Sequence, residues 1–204
     1  MKYTQIPTTT FSTLQLNAGI LVKSFTTSTG TIGDIIGATS GGISINLVPS
    51  FTDFGDDVDN CPKNTKELKK LTSWDNISMS GTFVTVNPEA VTMLLAAGDV
   101  DSTDKTQITP RNDLLASDFQ DIWFVGDYSD KNGVTNGGFI AIHLKNALNQ
   151  AGFALTTTDK NKGKFSFEFH AHYSISNPDS VPFEVFVQAG TAEPSLEGEI
   201  NEII

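Results

Sequence analysis

The sequence predicts a mainly β, antiparallel domain flanked by one α-helix. Several short runs alternate apolar with polar residues, and Gly-, Asn- and Asp-rich turns separate them. Seventeen glycines, with many Thr, Ser and Asn, favour strands and loops over long helices. Only one window, residues 87–99, carries a full set of helix signals. With 204 residues, 38% hydrophobic and 18% charged, the chain can build a proper core and does not read as disordered.

The elements follow in order. Residues 1–13 are Thr-rich with Pro7 and read as an extended arm, and "LQLNAGILVKSF" (14–25) reads as a first strand. The Gly/Thr-rich stretch 26–42 reads as loop around a short apolar segment. "ISINLVPSFTDF" (43–54) suggests a strand broken or bent at Pro49. A polar loop (55–65) leads to the basic cluster "KELKKL" (66–71). "NISMSGTFVTV" (76–86) places Ile77, Met79 and Phe83 on one strand face, Val84 and Val86 on the other.

The helix window opens with Asn87 as a cap, Pro88 at the first helical position and Glu89 in the first turn, and Gly98 is the expected stop. Its interior is apolar except for Thr92. A surface helix normally keeps a polar face, so this one calls for cover on two sides. Val91, Leu94 and Leu95 are therefore candidate contacts with a second subunit.

After an irregular stretch (99–118), "DIWFVGDY" (121–128) is apolar on both faces and reads as central. "FIAIHLKNAL" (139–148) puts Ile140, Ile142, Leu144 and Leu148 on one face. "GFALTTT" (152–158), "FSFEFHAHYSI" (165–175) and "PFEVFVQ" (182–188) complete a meander. Neither an internal repeat nor a linker is evident. The expected organisation is an arm (1–13), one β-domain (14–188) and an acidic tail (189–204).

Charge narrows the partners. The net charge is −11, and phosphate backbones are held mainly by Lys and Arg, so tight nucleic-acid binding by a monomer is not expected. A wall along which nucleic acid slides without sticking remains compatible with it. The single cysteine, Cys61, allows no intrachain disulfide. The first residues show no apolar signal segment and no run reaches the roughly 20 residues of a membrane span. Synthesis in a cytoplasm and no membrane insertion are expected.

The histidines invite a metal reading. His170 and His172 stand two apart with Glu168 before them, but strand alternation alone gives that spacing. On this reading Phe165, Phe167, Phe169, Ala171, Tyr173 and Ile175 face the core, and Glu168, His170 and His172 form a polar face that meets solvent, a neighbour or a lumen. A zinc site needs three or four ligands; His143 lies on another strand. Catalytic motifs are missing: there is no G-x-S-x-G elbow, no Walker A and no G-x-G-x-x-G. Neither enzyme activity nor a cofactor is expected.

Two acidic loops resemble calcium loops in part. "FGDDVDNCPKN" (54–64) is like one thrombospondin type 3 repeat, which normally comes in tandem with paired cysteines. "DYSDKNG" (127–133) is like part of an EF-hand loop without its closing Glu. Both read first as polar turns rich in Asp, Asn and Gly. The acidic Asp56, Asp57 and Asp59 and the basic Lys66, Lys69 and Lys70 are complementary patches for a chain that self-associates.

The segments "DVDNCPKNTKELKKLTSWDNISMSGTFVTVNPEAVTMLLAAGD" (57–99) and "DFQDIWFVGDYSDKNGVTNGGFIAIHLKNALNQAGFALTTTDKNKGKFSFEFHAHYSI" (118–175) give the chain its resemblance to the major tail proteins, or tail-tube proteins, of long-tailed bacteriophages and related prophages of Gram-positive bacteria. The likeness spans most of the chain and is one of order and texture. It implies a β-sandwich or half-barrel with one flanking helix, six copies to a ring, and rings stacked into a β-barrel tube that conducts the genome. It also implies a place in the virion, assembly in the host cytoplasm, and contacts with tape-measure, tail-terminator and distal tail proteins. The arm 1–13, the 49–72 region and the tail 189–204 are the expected bridges between rings. No catalytic residue carries over. The alternative is a monomeric β-sandwich module binding carbohydrate or calcium.

Overall fold

A computed structural model of the chain describes residues 6–7, 10–15, 17–55, 57–128 and 137–190. Its strands are β1 Ile20–Val22, β2 Phe25–Thr26, β3 Thr31–Ile32, β4 Ile35–Gly37, β5 Thr39–Asp53, β6 Lys69–Phe83, β7 Gly98–Val100, β8 Ile108–Pro110, β9 Gln120–Tyr128, β10 Gly138–Asn149, β11 Ala154–Thr156, β12 Lys164–His170 and β13 Phe183–Gln188. Helix α1, Pro88–Leu95, lies between β6 and β7 and is the one α-helix among the described residues. The protein is mainly β, with antiparallel pairing throughout the registered strands.

Within the stretch expected as one β-domain, residues group into two compact units. Of the described residues, one holds those up to 36, those within 122–143 and 184–190; the other holds those within 37–121 and 144–183.

In the first unit, β9 lies between β1 and β10, the central place its two apolar faces predict, and β13 pairs with β10. Val22, Phe25 and Ala141 form the buried centre, with Trp123, Phe139 and Phe186 packed on it. Phe25 meets Phe139 edge to face at 4.9 Å. The strand expected over 14–25 is shorter than predicted. Asn17 and Gly19 both take left-handed backbone (φ 51° and 68°), and Gly19 N–H donates to Asn17 Oδ1 at 2.9 Å. This local turn ends the extended backbone before Ile20.

In the second unit, β5, β6, β12 and the end of β10 are successive neighbours, and β11 hangs on β12. β5 and β6 are longer than expected, 15 residues each. Their register slips at Val48/Pro49, where the sequence predicts a bend, and again between Thr39 and Ile43, where Gly41 and Gly42 have φ of 87° and 85°. The core is aromatic. Phe83 and Phe167 lie 4.4 Å apart, Phe167 and Phe169 5.3 Å apart, and all three are fully buried with Met79 and Leu94. Each such side chain is worth about 1.5–3 kcal/mol of burial. Gly81 faces Phe167 in register, and a Cβ there would stand 2.8 Å from the ring.

Helix α1 begins as predicted: Asn87 Oδ1 accepts from Ala90 N–H at 2.7 Å, with Pro88 in the first turn. It stops earlier than predicted. Ala96, not Gly98, takes the left-handed backbone (φ 65°), and Gly98 opens β7. The reason is tertiary. Buried Asn149 donates to Leu94 O at 2.7 Å, taking up a carbonyl of the last turn. The same carboxamide donates to Gly152 O at 3.0 Å and accepts from Glu168 N–H at 2.8 Å.

β10 also departs from simple alternation. Asn146 has φ 50°, and beyond it the buried positions are Ala147 and Asn149 rather than the expected Leu148 face. Its amide is held by Asp121 Oδ1 at 3.0 Å and its side chain donates to His172 O at 3.2 Å.

Two substitutions test this account. Asn149→Leu orphans buried backbone groups and is expected to cost roughly 2–4 kcal/mol in denaturant unfolding. Ala96→Gly relieves the left-handed strain and is expected to add about 0.5–1 kcal/mol; a lower Tm for this variant would refute the assignment of the helix stop.

Candidate interaction surface

Neighbouring strands support only part of the β5–β6 hairpin. β12 pairs with β6 from Phe83 to Ser78 and no further. Beyond that, Trp74 N–H donates to Tyr173 Oη at 3.1 Å, and the Trp74 ring meets Phe183 edge to face at 4.8 Å. Past Trp74 the chain continues as a two-stranded ribbon, Pro49–Asp53 against Lys69–Trp74. β5 has no strand on its outer side among the described residues. Phe51 and Leu71 face each other across the ribbon and are 54% and 46% exposed; Phe54 and Val58 at the tip are 53% and 58% exposed. A cleft of about 350 Å³, lined by Leu71, Trp74, Tyr173 and Pro178, lies beside the ribbon.

The loop joining the two strands is built from turns. Val58 N–H donates to Gly55 O and Cys61 N–H to Val58 O, while Asn60 and Asn64 take left-handed backbone. The predicted acidic and basic patches therefore sit on one hairpin tip. Asp57 and Asp59 are exposed there, and Asp56 lies outside the described residues. The lysines have intrachain partners: Lys66 pairs with Glu67 at 3.4 Å, Lys69 with Asp53 at 3.1 Å, and Lys70 lies 5.4 Å from the Phe54 ring centre. Exposed pairs of this kind are worth at most about 1 kcal/mol, so exchanging them for contacts to another chain costs little.

The helix candidates divide. Leu94 is fully buried within its own chain and has no surface to offer a neighbour, which corrects its place among the contacts. Val91 and Leu95 are half-buried. The helix has more cover of its own than its apolar sequence suggests, because the β7–β8 hairpin packs against it. Arg111 anchors that neighbourhood, with Nε 2.9 Å from Asp99 and Nη2 2.5 Å from Asp118.

The histidine face also divides. β12 ends at His170, so the alternation that puts His172 beside it stops there. Phe167 and Phe169 are buried as expected, but Tyr173 is 40% exposed and Ile175 almost wholly exposed, against the core face predicted for them. Ala171 N–H bonds Ile77 O and His172 N–H bonds Lys145 O, which turns the backbone out of the strand. Glu168 and His170 remain on one face, 3.1 Å apart. His172 Nδ1 donates to Asn146 O at 3.0 Å, and its Nε2 accepts from Gln150 at 3.3 Å, so both ring nitrogens are engaged. His143 stacks on Trp123 at 4.0 Å with Glu184 at 3.4 Å. Among the described residues no group of three or more His, Cys, Asp or Glu is placed to hold a metal ion. The second calcium-like loop lies mostly outside the described residues.

Sequence reasoning missed Asn149 and the Phe51–Leu71 pair. The latter had a signal, two apolar residues standing on either side of a polar loop. No protein-family model matches the chain, and no curated protein matches its sequence.

One carboxyl stands at the foot of the ribbon, next to Trp74. Hydrogen bonds from the Ser73 hydroxyl and then the Ser50 hydroxyl outweigh desolvation and hold Asp75 below the ordinary carboxylate range. Its contribution to stability is present above the unfolded value, about 4, and is lost as pH falls through the lower folded value. Ser73→Ala is expected to raise the Asp75 midpoint in a carboxyl NMR titration; an unmoved midpoint would show that the Ser73 hydroxyl does not hold it.

Proposed function

We propose that this chain is the structural subunit of a phage tail tube, adopting a β-sandwich or half-barrel that associates into rings, with the rings stacking into a hollow conduit. The observation that carries the reading is the unsupported ribbon end. An isolated two-stranded hairpin is marginal in water, and an open edge strand with exposed apolar side chains invites pairing with another chain. Phe51, Leu71, Phe54 and Val58 on the ribbon, beside the outer edge of β5, are such a surface.

The charge supports the same reading. At −11 per chain, a ring of copies concentrates acidic groups, and an acidic wall repels phosphate and lets duplex DNA slide. Self-association is then the principal binding activity, with other tail proteins meeting the tube at its ends and its interior. No chemical step is required of any side chain.

Negative-stain electron microscopy with light scattering tests the reading. The purified protein is expected to form rings or tubes. Phe51→Ser with Leu71→Ser is expected to abolish them while circular dichroism stays that of the folded chain. A wild-type protein that stays monomeric at the highest concentration reached would defeat the proposal.

A further inference from the structure

The β11–β12 hairpin has a free edge with two unlike faces. β11 pairs with β12 alone among the described residues, and all three of its residues are exposed. Leu155 stands opposite Phe165, and the Phe153 ring lies 5.8 Å from that of Phe165. Phe153 and Leu155 are 42% and 49% exposed, so this face is apolar and open. On the other face Thr156 stands opposite Lys164, and the connecting turn carries Lys160 and Lys162. All three lysines are exposed and none pairs with a carboxylate of the described residues. Only Asp159 offsets them locally, in a chain that is otherwise strongly acidic.

One segment of the chain has the complementary pattern. Residues 191–204, "TAEPSLEGEINEII", hold four glutamates and neither Lys nor Arg. In extended backbone Leu196, Gly198 and Ile200 share one face, while Glu197, Glu199 and Asn201 share the other.

We propose that residues 195–201 of a second copy add as a strand to the free edge of β11. Leu196 and Ile200 cover Phe153 and Leu155, and Glu197 and Glu199 meet Lys160 and Lys164. Backbone hydrogen bonds along the edge provide affinity, and the two faces set which way the strand lies. This names one contact for the self-association proposed above and rests on that reading.

The test uses the full chain carrying Glu197→Lys and Glu199→Lys as receptor, which disables its own tail and leaves the described residues unchanged. A fluorescein-labelled peptide of residues 191–204 is titrated onto it and read by anisotropy. Saturable binding is expected, weakening with salt. Adding Lys160→Ser and Lys164→Ser to the receptor, which gives its own lysine-bearing tail no acidic partner on this edge, is expected to weaken it several-fold. Equal binding to both receptors, or none to either, overturns the proposal. So does a duplex DNA fragment that binds these lysines where the peptide does not. The outcome is separable from assembly. A receptor that binds the peptide while the wild-type chain never forms rings supports this contact and counts against the tube, whereas tubes formed by a wild-type chain, with a receptor indifferent to the peptide, do the reverse.

Discussion

The Asn149 carboxamide joins three elements that the chain brings together from distant positions. Its amide nitrogen serves a carbonyl in the last turn of α1 and another at Gly152, and its oxygen serves the Glu168 amide on β12. The residue is almost wholly buried, so these backbone groups have no water to fall back on. An apolar residue of similar size would fill the space and leave them unpaired. The helix therefore ends where this side chain can reach it. Asn149 also lies opposite Phe169 in the β10–β12 pair, a member of the phenylalanine cluster of the core.

From that fixed centre the structure becomes less supported outward along β5 and β6. The half of β6 nearest the core lies between β5 and β12, and the half beyond Trp74 pairs with β5 alone among the described residues. Most side chains of the unsupported half are polar, yet the cross-strand pair Phe51 and Leu71 is apolar. Natural sheets blunt such edges with charge, proline or cover. Here Pro49 bends the strand and Lys69 and Lys70 border it, yet Phe51 and Leu71 remain outward. That combination suits a surface that is solvated in the free chain and covered in an assembly.

Much of the fold was legible in local pattern. The strands over 43–54, 121–128 and 182–188, the bend at Pro49 and the start of α1 at Asn87 each follow from side-chain period, proline geometry or capping chemistry. The departures share one cause. Where Asn17, Asn146 or Ala96 takes left-handed backbone, the alternation or the helix stops, and nothing in the neighbouring composition marks those residues out. The histidine face failed for a related reason. Alternation carries only as far as the strand does, and β12 stops at His170 because the backbone of Ala171 and His172 is taken up by Ile77 and Lys145.

By itself the sequence determined the β class, the apolar faces of the central strands, the helix start and the acidic balance, because these depend on residue type and spacing alone. Only the tertiary structure decided that Leu94 is buried while Phe51 and Leu71 are open, that His172 parts from His170, and that the acidic and basic patches share one hairpin tip. Those outcomes depend on which strand extends beyond its neighbour and on which distant side chain reaches a free backbone group. Such long-range geometry is not encoded in the period of any single segment.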